Sequence, residues 1–145
     1  MAHRHGETWQ PRSYARRPSD FGADRSLQWR SAPPEGESED LFEARRLAAR
    51  LQHGVIYTLC HRAEPAEETD AQRSSRTGIP LARIGRLRRG TLPMRIEEIG
   101  LIVAAYPDIN LSRIVINSGI HVSEGYEIGL KPSKSKQGDG ADPAA

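Results

Sequence analysis

One cysteine, Cys60, stands among 145 residues, so no disulfide can close within the chain. Set inside a helical pattern, it reads as a small buried apolar residue rather than a reactive thiol. Lysine is confined to Lys131, Lys134 and Lys136, which leaves the other positive charges on arginine. Arginine is the side chain suited to two-pronged contacts with carboxylates, phosphates and guanine edges. No apolar run approaches the ~20 residues that cross a bilayer, and Met1 to Gln10 is too polar for a secretory leader. A soluble cytoplasmic, nucleoid-associated protein is the expectation. There is no phosphate-cradling glycine loop, no nucleophile motif and no ligand set at metal spacing. His53 and His61 have neither cysteine nor an acid cluster beside them at such spacing. Glu97 and Glu98 are neighbours, and neighbours on a helix point to different faces. These absences argue against an enzyme, and no cofactor or metal is expected.

What the chain does have is segregated charge. The formal net charge is only +2, yet seven arginines (Arg73, Arg76, Arg83, Arg86, Arg88, Arg89 and Arg95) fall between Asp70 and Glu97 with no acid among them. Such a run is expected to repel itself unless a polyanion lies against it. It surrounds Thr77-Gly78-Ile79-Pro80-Leu81-Ala82-Arg83-Ile84-Gly85-Arg86-Leu87-Arg88-Arg89-Gly90. That stretch reads as a tight turn, then a short amphipathic helix that starts at Pro80 and stops at Gly90.

Along the chain, residues 1–37 carry scattered prolines, charges of both signs and no helical or strand period. The expectation is a disordered arm. Its aromatics, Trp9, Tyr14, Phe21 and Trp29, could anchor a protein partner, or simply ride on a loose tail. Residues 38–117 are expected to form the folded domain. Ser38 is a plausible cap for a first helix, with Leu41, Ala44, Ala48, Leu51, Val55 and Leu59 as its apolar stripe and Leu47 beside it. Thr69 and Gln72 make a capping box for a second helix. The third helix buries Ile79, Ile84 and Leu87. A fourth runs from about Met94 to Tyr106, burying Ile96, Ile99, Ile102, Val103 and Tyr106 before Pro107 ends it. Asn110 caps a fifth, with Leu111, Ile114 and Val115 apolar. Residues 118–130 suggest a β-hairpin or dimerisation segment, and residues 131–145 a disordered tail.

Five helices in this order, with Gly78-Ile79 ahead of Ile84, Leu87 and Gly90, and with Tyr106-Pro107-Asp108-Ile109-Asn110-Leu111 joining the last two, resemble the lambda-repressor-like (Cro or XRE) helix-turn-helix family over about residues 41–116. The resemblance implies an all-α, five-helix DNA-binding domain. It implies base-reading positions at Leu81, Ala82 and Arg86, with Gly85 leaving room for close approach. It implies phosphate contacts from the start of the second helix and the end of the third, at Thr69, Gln72, Arg88, Arg89 and Thr91, and the basic run adds Arg76 and Arg83. The chain departs from the family pattern at Arg73, where a buried leucine is usual; an arginine there must reach outward or the helix must rotate. It departs again at Asp70, which would repel a phosphate.

The function this implies is sequence-specific binding of double-stranded DNA by a homodimeric, repressor-type transcriptional regulator of phage or prokaryotic kind. Rival readings are a protein-binding adaptor or antirepressor, a non-specific architectural DNA-binding protein, and a DNA-recognition subunit of a larger machine.

Overall fold

The computed structural model describes residues 9–62 and 67–119, and these form an all-α fold of five helices. Helix α1 spans Glu39–Cys60, α2 Asp70–Thr77, α3 Leu81–Arg89, α4 Ile96–Ala105 and α5 Leu111–Asn117. Their ends follow local chemistry. Ser38 Oγ accepts the Leu41 N–H, Thr69 and Gln72 satisfy each other's backbone N–H groups, and Asn110 Oδ1 accepts the Arg113 N–H. Gly78 and Gly90 end α2 and α3 at φ of 80° and 72°, the left-handed region that glycine enters without penalty.

The main core gathers Val55, Ile56 and Leu59 of α1 with Ile79, Ile84, Leu87, Ile102, Tyr106, Ile109 and Ile114. Each such side chain contributes ~1.5–3 kcal/mol by leaving water. Ile84, Leu87, Ile102, Tyr106 and Ile114 sit where the helical periodicity places them, and the stripe on α3 turns the opposite side of that helix outward.

Gln52, buried in α1, fixes the segment after α3. Its Nε2 donates to the carbonyls of Leu87 (3.1 Å) and Leu92 (2.9 Å), and its Oε1 accepts the Met94 N–H at 2.7 Å. One amide therefore satisfies the Leu92 carbonyl and the Met94 N–H, and adds a second donor to the Leu87 carbonyl, which also accepts the Gly90 N–H at 3.2 Å.

Residues 9–37 overturn the expectation of a disordered arm. Two 3-10 turns, Pro11–Tyr14 and Pro18–Asp20, begin at prolines whose fixed φ suits a first helical position. An antiparallel bridge joins Ala15 to Trp29, with Arg16 N–H donating to Gln28 O and Arg30 N–H to Tyr14 O at 2.9 Å each. The aromatics supply the burial. Tyr14 stacks on Phe42 (5.8 Å between ring centres), while Phe21 and Trp29 meet His53 edge-on at 5.5 and 5.7 Å. Gly22 N–H donates to His53 Nδ1 at 2.9 Å. This is a second, smaller core laid over the first half of α1.

That cover also corrects the stripe assigned to α1. Its first half buries Phe42 and Ala49, with Gln52 and His53 following. Leu41, Ala44, Leu47 and Ala48 are exposed. On α4, Ile96 is 84% exposed rather than buried, because the helix turns inward the face that carries Glu98 and Ile102, and Ile96 lies on the other side. The hairpin and tail expected at 118–130 and 131–145 lie, from residue 120 onward, outside the described residues.

Candidate functional site

The turn Gly78–Pro80 presents α3 with its apolar stripe inward and Leu81, Ala82, Arg86 and Arg89 outward. Leu81 is 52% exposed. Ser74 Oγ donates to Ile79 O at 2.6 Å, and Thr77 Oγ1 accepts the Ile79 N–H at 3.2 Å, so side chains of α2 hold the turn from within. Gly85 departs from the expectation. It is buried, not open: a Cβ placed there would lie 3.2 Å from Arg89 Nη1, so the arginine already lies across the space the missing side chain leaves.

The arginine run is not bare either. Its acids come from just outside the run, brought in by helix packing. Arg83 of α3 grips Glu98 of α4 with Nε and with Nη2 (2.9 Å to Oε1), and the same oxygen accepts the Arg95 backbone N–H at 2.7 Å. Arg88 meets Asp70 through Nε at 3.1 Å and Nη2 at 3.0 Å, and Arg73 meets the same carboxylate at 2.8 Å. Arg76 pairs with Glu68 at 3.3 Å. The expected phosphate contacts at Arg76, Arg83 and Arg88 are therefore already engaged with carboxylates. Arg86, Arg89 and Arg95 have no ion pair among the described residues.

Arg73 does not reach outward. It is 8% exposed and stays inside because Asp70, one helical turn back, supplies a counter-charge. Asp70 thus has a structural reason for its place at the start of α2: it holds two guanidinium groups. Burial works to raise both the Asp70 and Glu98 carboxyls, but Arg88 and Arg73, and Arg83 with the Arg95 N–H, outweigh it and hold both below the usual carboxylate range.

Just before α2, Glu68 Oε2 accepts the Tyr106 OH at 2.6 Å, and the Tyr106 ring lies under Arg62 (4.6 Å) and Arg76 (5.1 Å). Burial and the Glu68 hydrogen bond push this phenol up to about 12. Thr69 and Gln72 are exposed but spend their oxygens on each other's capping. Thr91 Oγ1 donates to Arg86 O at 3.2 Å, tightening the chain after Gly90.

The structure thus gathers Leu81, Ala82, Arg86 and Arg89 on one exposed face, and divides the other site residues between capping and ion pairing. Unread in the sequence was the segment before α1, which reaches this region. Arg12 N–H donates to Gly90 O at 3.0 Å, and Phe21 packs on Gly90. The described residues hold no cluster of histidine, cysteine, aspartate or glutamate fit for a metal. No helix among them is long and apolar enough to cross a membrane. No protein-family model, curated protein or solved structure matches the chain.

Proposed function

We propose that this chain binds duplex DNA sequence-specifically through a helix-turn-helix of lambda-repressor type, with α3 in the major groove, and acts as a homodimeric transcriptional regulator. One observation carries the reading. A short helix held by a tight turn shows the solvent Leu81, Ala82, Arg86 and Arg89 in succession, and neither of those arginines has an acidic partner among the described residues. Arg86 has the donors to read guanine through its O6 and N7, and Leu81 and Ala82 the size to meet thymine methyl groups. Pairing of four other arginines with carboxylates lowers the positive charge of the face. That favours recognition of base edges over adhesion to any polyanion.

The test is selection from a random duplex pool at about 0.15 M salt, the physiological ionic strength. An enriched palindrome, lost with Arg86→Ala at a cost of ~1–3 kcal/mol at one base position, supports the reading. Retention without an enriched motif makes the protein architectural, and no retention refutes DNA binding. A protein-binding adaptor is the second reading. Leu81 and Ile96, apolar and largely exposed, favour it. An adaptor would keep its partner when Arg86 is replaced and lose it with Leu81→Asp.

A further inference from the structure

The segment before α1 does more than cover that helix. Its first 3-10 turn is tied to the glycine that caps α3 by the Arg12 N–H to Gly90 O bond. Its Gly22 lies so close to the Arg88 carbonyl that an added Cβ would sit 2.9 Å from it. Between this segment and the ends of α1 and α3 runs an open cleft of about 390 Å³, lined by Arg12, Phe21, Cys60, His61, Arg88 and Arg89 among others. None of its lining residues is acidic. Arg88 already holds Asp70. Arg12 donates through Nε to Gln10 at 3.2 Å, and neither it nor Arg89 has an ion pair among the described residues. Two arginines without an ion pair among the described residues, on elements far apart in sequence, thus line one concave, acid-free surface at the end of the proposed reading helix, and the Arg89 guanidinium, which rests across Gly85, would swing one turn to reach it.

We infer that this cleft seats a backbone phosphate of the duplex, held jointly by Arg12 and Arg89, so that the N-terminal segment is part of the DNA-binding surface. The inference rests on the DNA-binding reading above. A phosphate suits the place because arginine donors fork onto its oxygens, and because contacts of this kind fix the register of a reading helix without reading sequence themselves.

The test is the salt dependence of binding to a labelled duplex, followed by fluorescence anisotropy with the full chain. Each phosphate neutralised contributes about 0.9 to the slope of log K against log salt. Arg12→Gln is expected to make the slope shallower by about one, and to weaken binding equally on a selected and a scrambled duplex. Its melting temperature should hold, since the bond to Gly90 belongs to the main chain. Arg89→Gln is expected to do the same, and the double variant to lose no more slope than one single. Arg17→Gln, on the same segment but lining a different cleft with Asp20 and Asp24, is expected to change nothing. A wild-type slope in Arg12→Gln overturns the inference while leaving DNA binding intact. A loss of about two in the double variant overturns the shared seat. If Arg12→Gln alters only the response to inorganic phosphate at matched ionic strength, the cleft takes a free anion and the duplex assignment is overturned. Absence of duplex binding by the wild type removes the DNA-binding reading itself.

Discussion

Glu98 and Arg83 tie α4 to α3: the guanidinium spans both carboxylate oxygens, and Glu98 is almost wholly buried. Paired, the two charges satisfy each other; separated, one is left inside without a partner, and that asymmetry sets the cost. Glu98→Ala is therefore expected to destabilise the fold by ~1–3 kcal/mol, since the Arg83 left behind is partly open to solvent, read as a shift of the urea midpoint at unchanged slope. Equal stability of wild type and variant would show the pair to be idle.

Gln52 is expected to matter as much, without any charge. Gln52→Leu leaves the Leu92 carbonyl and the Met94 N–H without the partner that one amide supplies, and leaves the Leu87 carbonyl with the Gly90 N–H alone. Each buried orphan costs ~1–3 kcal/mol, so the loss should rival that of a large core truncation. Amide exchange at Met94 should accelerate with it. Unchanged protection there would mean that the segment after α3 is held by something else.

Acid should weaken the fold over two pH ranges. Burial among Phe21, Trp29 and Tyr57 lowers the His53 pKa, only partly offset by Asp24. The unfolded chain therefore takes up this proton first. Stability falls as pH drops below about 6.5, the ordinary histidine value, and levels off below the lowered folded value. The carboxyls of Asp70 and Glu98 are depressed, so their contribution is complete above the ordinary carboxylate range, near pH 4, and is lost as pH falls through their folded values. Stability measured against pH should show both declines, and His53→Asn should erase the first alone.

Removal of residues 1–37 separates a packed segment from a loose tail. The shortened chain would expose Phe42, Ala49 and His53, which Tyr14, Phe21 and Trp29 now cover. It is expected to melt lower and to bind a hydrophobic dye. Phe21→Ala, which empties the contact with Gly90 and His53, should by itself cost ~3 kcal/mol or more. A shortened chain as stable as the whole would show that the segment contributes no net stability.

Caps and stops made the helices legible. Thr69 with Gln72, Asn110, Gly78 and Gly90 are local signals, and each worked within a few residues of itself. The segment before α1 was illegible because 3-10 turns and a single bridge have no period to detect; its order comes from four aromatics meeting a helix beyond them. That partner in turn misled the reading of α1. Two apolar series overlap there, and Leu41, Ala44 and Ala48 keep the period while Phe42 and Ala49 receive the cover. The arginine run was misjudged for the same non-local reason. Glu68, Asp70 and Glu98 lie just beyond its ends in sequence, yet packing sets them against its members. Leu81, Ala82 and Arg86 could be placed on the outer face because a nine-residue helix between a turn and a glycine has only one way to bury Ile84 and Leu87.

Asp70 gives the chain an unusual vulnerability. It restrains two cations at once, one buried and one near the surface. Exchange for asparagine would loosen α2 and, in the same stroke, release Arg88 beside Arg89. Loss of shape and gain of stickiness would arrive together. A damaged copy would carry an unpaired cation beside Arg89 on a less rigid scaffold, so a single neutral amide would alter surface charge and fold together.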